Sequence, residues 1–183
     1  MTLLQTNRLL LRPIAKSDAS AFARLCNDEL IARNTARIPH PYSLDDAEIF
    51  TAIAAHAFAS GKEHAFAVCE GDELVGCCGV MRITLEVFEL GYWVGAPARG
   101  RGVATEAAHA VAHFAFERLG AKKLLSGHFA DNPASGRVLD KIGFRPSGEE
   151  RMQFSQGRGC EAPSLRMALE QTAFIAPSGV EFA

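Results

Sequence analysis

No uninterrupted apolar run in this 183-residue chain approaches the length of a membrane-spanning helix, and neither sign of charge dominates. The 19 Lys and Arg face 21 Asp and Glu, a formal net charge of -2. Neither a bilayer nor a polyanion is therefore expected as a partner, although a local basic patch around Arg99 and Arg101 stays open. The five cysteines, at 26, 69, 77, 78 and 160, are odd in number and scattered, which speaks against a disulfide framework or a spaced metal site and for reduced thiols. Adjacent Cys77 and Cys78 would point to opposite faces of a strand, one thiol buried and one partly exposed. No Pro/Gly/Ser-rich linker, charge run, internal repeat or low-complexity segment divides the chain. The start, Met1 to Arg8, shows no basic leader before an apolar segment, so the cytoplasm is the expected compartment.

What is present is the composition of an ordinary globular domain, 48% hydrophobic and 22% charged. A single domain over 1–170 is expected, with 171–183 as a patternless tail. Leu9-Leu10-Leu11 reads as a strand that stops at Pro13, and Ser17 or Asp18 caps a helix carrying Ala21, Phe22 and Leu25. After Cys26 the chain reads as polar and irregular through Ile38-Pro39-His40-Pro41-Tyr42. Ser43-Leu44-Asp45-Asp46 resembles a capping box with Asp in the usual Glu place, opening a helix whose face carries Phe50, Ile53, Ala54 and Ala57. Ala65–Cys69 and Leu74–Val80 read as a hairpin, and Phe88–Val94 as a third strand. A helix from Val103 to Leu119 buries Val103, Ala107, Ala110, Val111 and Phe114 and ends at Gly120. Lys122–Ser126 is a strand. Asn132 then suits an N-cap, Pro133 the first helical position and Gly143 a left-handed helix end. Two last strands flank Gly157-Arg158-Gly159.

Between the third strand and the long helix lies Arg99-Gly100-Arg101-Gly102-Val103-Ala104. Two glycines let the backbone turn with its N–H groups inward, the helix start leaves its first amides unpaired, and two arginines add mobile positive charge. Such a loop is built to cradle a phosphate, though an ordinary strand-to-helix turn with solvated arginines has the same pattern.

The order of elements resembles the GNAT acetyltransferase superfamily over roughly residues 3 to 170, and the loop matches that family's Gln/Arg-x-x-Gly-x-Gly/Ala hallmark residue for residue. Thr6-Asn7-Arg8-Leu9-Leu10-Leu11-Arg12-Pro13, Ser17-Asp18, Pro39-His40-Pro41-Tyr42 and Ala47 are similar to the RimJ/RimL-like branch, which acetylates ribosomal-protein N-termini. So are Glu89-Leu90-Gly91-Tyr92-Trp93, Asn132-Pro133-Ala134-Ser135 and Lys141-Ile142-Gly143-Phe144. The resemblance implies an α+β GNAT acyl-CoA N-acyltransferase fold. Its mixed central sheet is mostly antiparallel, with one splayed parallel pair, and is flanked by helices.

The resemblance also implies acetyl-CoA as co-substrate, no metal, and direct attack by a primary amine, either a protein N-terminus or a small molecule, in a ternary complex. The loop from Arg99 through Thr105 (Arg99, Gly100, Arg101, Gly102, Val103, Ala104, Thr105) would hold the pyrophosphate, the backbone of Tyr92, Trp93 and Val94 would pair with the pantetheine arm, and Asn132 and Ser135 would lie along it. An α-amine, with a reference pKa of about 7.7 to 8.0 against about 10.4 for Lys, asks less of a general base. Glu89 is the candidate base, directly or through water; its alternative is a surface carboxylate. Many family members protonate the departing thiolate with a tyrosine four residues before the strand-opening Gly-Phe pair, but that position here is Leu139. Ser135 then becomes the candidate thiolate stabiliser, with simple helix capping as its alternative. His40, Tyr42 and His64 are candidate acceptor-side residues, and surface or turn positions are their alternative. His109 and His113 share a helical stripe with Glu106 and Glu117, read as an exposed face rather than a metal site. A non-catalytic acyl-CoA-binding or regulatory module is the second reading. A nucleotide-binding protein, the third, lacks a Gly-Lys-Ser/Thr after the loop and an acidic ribose contact. Monomer and homodimer both stay open.

Overall fold

The computed structural model describes residues 2–183. Strands β1 (Leu4–Gln5) and β2 (Leu9–Pro13) pair antiparallel, and alternation sends Leu9 and Leu11 to one face, where both are fully buried. A single 3₁₀ turn, Lys16–Asp18, precedes α1 (Ala19–Cys26). Asp18 ties this corner together by accepting the Ala15 N–H at 2.8 Å and both terminal nitrogens of Arg12 at 2.8 and 2.7 Å. The segment expected to be irregular contains a short helix, α2 (Glu29–Arg33), started by Asp28, whose carboxylate accepts from the Leu30 and Ile31 amides. The Ser43/Asp46 capping box is formed in full and opens α3 (Leu44–Ala59). The buried face of α3 is Ala47, Thr51 and Ala54, with Phe50 half-buried; Ile53, expected inside, is 60% exposed.

β3 (Glu63–Glu70) and β4 (Glu73–Arg82) form a hairpin around Gly71, which takes φ +59°, and β5 (Val87–Val94) adds antiparallel to β4. Helix α4 (Val103–Arg118) buries all five residues expected of it, and Gly120 follows at φ +72°. β6 (Lys123–Phe129) returns parallel to β5. In α5 (Pro133–Ile142) Asn132 accepts the Ser135 amide at 3.3 Å, and Gly143 closes the helix at φ +110°. β7 (Arg145–Ser155) and β8 (Cys160–Glu170) are longer than the sequence suggests. The last residues do not hang free: after a turn at Gln171–Ala173, β9 (Glu181–Phe182) pairs with β1, while Phe174 and Phe182 pack beside α4.

The described residues form one nine-stranded sheet in the order β7-β8-β6-β5-β4-β3-β2-β1-β9, antiparallel except for β5 and β6. One face is buried under α4 and α5 by Phe66, Val80, Phe88, Leu90, Leu124 and their neighbours; the other, under α1 and α3, holds Ala65, Ala67, Cys69 and Cys77. Because both faces of β4 are covered, Cys77 and Cys78 are both buried, where alternation predicts one partly exposed thiol. Burial raises the pKa of each. None of these helices is long and apolar enough to cross a membrane.

Candidate functional site

The parallel seam between β5 and β6 runs only from Val87/Lys123 to Glu89/Leu125, with one further link from the Ser126 hydroxyl to the Leu90 carbonyl at 2.9 Å. Beyond it the strands part, and the edge of β5 from Gly91 to Val94 has no partner strand on that side. Alternation divides this edge between the two faces of the sheet. Phe88, Leu90, Tyr92 and Val94 turn toward α4 and α5, whereas Glu89, Gly91 and Trp93 turn toward α1 and α3. The opening in the sheet therefore connects two chemically different sides.

Below the opening, Gly100 and Gly102 adopt φ +73° and +81°, conformations costly for residues with a Cβ. They bring the chain round so that the first backbone bond of α4 is made by the Glu106 amide to the Gly102 carbonyl, leaving the amides from Arg101 to Thr105 without a backbone acceptor. These amides and the helix dipole suit an anion. The arginines are less mobile than the sequence suggests. Arg99 bonds Asp28 at 2.7 Å, stapling the start of α2 to the loop, and Arg101 bonds Glu70 at 2.7 Å. Burial raises the Asp28 carboxyl, but the Arg99 bond and the α2 amides outweigh it and hold the group below its ordinary value. From the opposite side Glu106 accepts from Thr6 and Arg8, and Arg8 also donates to the Arg101 carbonyl at 3.1 Å. The loop is thus clamped from three sides, and its free donors are the amides together with the remaining guanidinium N–H groups of Arg99 and Arg101.

On the α1/α3 side, Glu89 accepts from Arg166 of β8 at 2.6 Å; the arginine side chain is 9% exposed and the carboxylate 29%. To reach it Arg166 crosses β6 at Gly127, where a Cβ would lie 2.9 Å from Arg166 Nη1 and 2.9 Å from the Leu165 carbonyl. The glycine is a notch that lets the guanidinium lie across the strand. Glu89 is therefore neither a loose surface carboxylate nor deeply enclosed. One oxygen is bonded to Arg166, and the group as a whole stays accessible.

On the α4/α5 side, the Tyr92 phenol meets Ser135, 3.0 Å from its carbonyl and 2.9 Å from its hydroxyl. Burial raises the Tyr92 pKa, with the Ser135 bond partly opposing it, so the phenol holds its proton throughout the physiological range. Leu139 is fully buried in the core. A phenol is thus present after all, supplied by β5 instead of α5. Sequence reasoning leaves Tyr92 and Tyr42 as the only other phenols without assigning either to the thiolate, and it misses Arg166, Gly127 and Asp28. The β5 alternation places the phenol on the α5 face, but the other three act through pairings distant in sequence.

The three acceptor-side candidates part company. His40 is exposed, on the connection between α2 and α3. Tyr42 is 8% exposed in the core beneath α1 and α3, where burial raises its pKa. His64 lies on the sheet face opposite Glu89, since it pairs with Val80 and through it with Leu90. There it is wedged among Phe58, Phe66 and Phe114, its Nδ1 buried without a partner and its pKa lowered by burial and then by Arg82. The fold therefore does not bring it to the Glu89 side. His109 and His113 anchor the C-terminal segment, His109 Nε2 lying 2.8 Å from the Ile175 carbonyl and His113 against Phe174 and Phe182.

Residues 8–145 match the family described as the acetyltransferase (GNAT) domain. The uncharacterized N-acetyltransferase YoaA of Bacillus subtilis (strain 168) is 30% identical over 161 residues, 84% of this chain and 89% of that protein. Among solved structures, Mycobacterium smegmatis RimJ in complex with CoA-disulfide superposes with a TM-score of 0.83 at 19% identity, over 94% of this chain and 88% of the other. The ribosomal-protein-S5-alanine acetyltransferase of Vibrio fischeri gives 0.80 at 15% identity, over 94% and 98%. The glycine loop, the splayed strand pair and these matches lead to one conclusion: this chain belongs to the GNAT acetyltransferase family and is an N-acetyltransferase.

Proposed function

We propose that the protein moves an acetyl group from acetyl-CoA to a primary amine, directly, with both substrates bound at once. The observation that carries this reading is the opening beside β5. It has an amide cradle at its foot, an accessible carboxylate on one face and a hydroxyl pair on the other. The residues fit the donor: five free amides at a helix start suit a pyrophosphate, and an unpartnered strand edge suits an amide-bearing arm. Acetyl-CoA supplies the activated acetyl thioester. Glu89, oriented by Arg166, takes the proton that an ammonium must lose before it can attack, directly or through water. Backbone N–H groups of the free β5 edge near Val94 polarise the acetyl carbonyl. On the other face Ser135, backed by the protonated Tyr92, donates to the departing sulfur.

For the acceptor we favour a protein N-terminal α-amine, with small primary amines as the other class. The RimJ/RimL-like motifs support this order, and the alanine-acetylating Vibrio protein shares the fold. The test measures thiol release from acetyl-CoA over N-terminal peptides, polyamines, aminoglycosides and amino acids, alongside thermal stabilisation by acetyl-CoA and by ATP. Turnover on α-amine peptides is expected. Stabilisation by acetyl-CoA with no turnover on any amine would identify a binding module, and stabilisation by ATP alone would sink the donor assignment.

A further inference from the structure

Glycine in the middle of a strand weakens it, so each one calls for a reason. Among the described residues, Gly76 and Gly79 of β4 and Gly127 of β6 have one: a Cβ there would lie 2.6, 2.7 and 2.9 Å from the carbonyls of Trp93, His64 and Leu165. Gly148 of β7 has another, φ +80°. Gly91 of β5 has neither. Its φ is not in the left-handed region, and a Cβ built on it meets nothing within 4 Å. Nothing in the fold requires a glycine there.

Its position is informative. Gly91 lies midway between Glu89 and Trp93 on the α1/α3 face, about 7 Å along the strand from each. It sits two residues past Glu89, where the pairing with β6 ends, and it is exposed although Leu90 before it is buried and Tyr92 after it and its cross-strand partner Gly79 are half-buried. The Trp93 indole is held edge-on against Phe22, with centroids 5.6 Å apart, so it does not swing over the gap. The open space above Gly91 is bounded by a carboxylate at one end and an indole at the other, the pair of groups that attracts an ammonium.

We infer that Gly91 keeps clear the path along which the acceptor amine reaches the acetyl group, and so sets the bulk tolerated next to that amine. The inference rests on the acetyl-transfer reading above and adds a residue that determines acceptor size. Since the Cβ has no neighbour, substitution spares the fold and the donor site, and acts on the acceptor alone.

The test compares wild type with Gly91→Ala and Gly91→Val in equilibrium binding of two probes. One is CoA. The other is a thioether in which the CoA sulfur is joined through –CH₂–C(O)– to the α-amine of alanyl-alanine amide. Both variants are expected to melt at or above the wild-type temperature and to bind CoA as wild type does. The thioether should lose about tenfold or more in affinity in Gly91→Val and less in Gly91→Ala. Unchanged thioether binding in Gly91→Val overturns the inference, as does an equal loss for both probes or a wild type that binds the thioether no more tightly than CoA. A wild type that binds neither probe overturns the acetyl-CoA reading itself, and the inference with it.

Discussion

At the scale of single residues, Glu89 and the Tyr92–Ser135 hydroxyls lie on opposite faces of one strand, and with them, on the proposed function, the two proton tasks. Glu89 looks to one side and Tyr92 to the other because they are three apart on β5, an odd spacing that alternation converts into opposition. Glu89→Gln is expected to lower kcat/KM at pH 7 by about 10²- to 10⁴-fold. The deficit should shrink above about pH 9, because an α-amine with a pKa near 7.7 to 8.0 is by then already neutral. A loss of equal size at every pH would show that Glu89 positions the substrate and does not take its proton. Ser135 and Tyr92 should behave as one unit. Ser135→Ala is expected to cut kcat by about tenfold or more while leaving the KM for acetyl-CoA unchanged, and adding Tyr92→Phe should cost little beyond that. Additive losses in the double variant would mean that the two hydroxyls work separately. Glu89 and Ser135 each sit in a short contiguous run, Glu89 to Trp93 and Asn132 to Ser135, and both runs are legible in the sequence. The phenol-to-serine bond spans 43 positions and becomes visible only once β5 and α5 are packed together.

At the scale of elements, the local rules worked where local chemistry decides. The Ser43/Asp46 box, the Asn132-Pro133 start and the Gly143 end each satisfy backbone groups within a few residues, and each was readable. Helix α2 was missed because it spans five residues, too few for a periodic signal, and depends on Asp28, which is shared with Arg99 of a distant loop. The outward-facing Ile53 misled the expected pattern of α3 because apolarity alone does not say which stripe of an alanine-rich helix meets the sheet. Gly127→Ala places a Cβ 2.9 Å from both Arg166 Nη1 and the Leu165 carbonyl of the neighbouring strand, so the guanidinium or the backbone must shift. A destabilisation of about 1–3 kcal/mol is expected, with kcat falling because Arg166 is displaced from Glu89. Denaturant unfolding together with steady-state kinetics checks both effects; unchanged kcat would mean that the ion pair does not orient the carboxylate.

At the scale of the whole molecule, the acid limits of stability follow from groups spread around the fold. In Asp18, Asp28 and Glu106 burial alone would raise the pKa, yet arginine and hydrogen-bond partners outweigh it; in Asp131 the Arg158 and Arg33 bonds lower it. A carboxyl whose folded pKa lies below its unfolded value stabilises the protein above about pH 4 and loses that contribution as pH falls through the folded value. His64 and His113 have the opposite sense in charge: with folded values lowered mainly by burial, they favour the unfolded chain once pH drops below about 6.5. The melting temperature is therefore expected to be flat between about pH 6.5 and 8.5, to decline gently below about pH 6.5 and steeply below about pH 4, and to fall again above about pH 8.5, where thiols of the unfolded chain ionise while the buried Cys26, Cys69, Cys77 and Cys78 hold their protons. His64→Leu should flatten the gentle part, and a scan of melting temperature against pH checks it. The class of fold was legible because the order of elements resembles a known family, and the glycine loop because it is one contiguous motif. The ends of the sheet were not, since β9 is two residues long and is defined only by its pairing with β1.

The short seam between β5 and β6 has a mechanical side. Three residue pairs join a block of six strands, β5 to β9 by way of β4, β3, β2 and β1, to a block of three, β6, β8 and β7. Two blocks of one sheet paired over so short a length rely on their shared core and on the Arg166–Glu89 pair to hold their angle. On the proposed function, an extended donor lying against Tyr92 to Val94 is a splint laid across that joint. When it departs after each turnover, the angle between the blocks is left to the shared core and the Arg166–Glu89 pair alone.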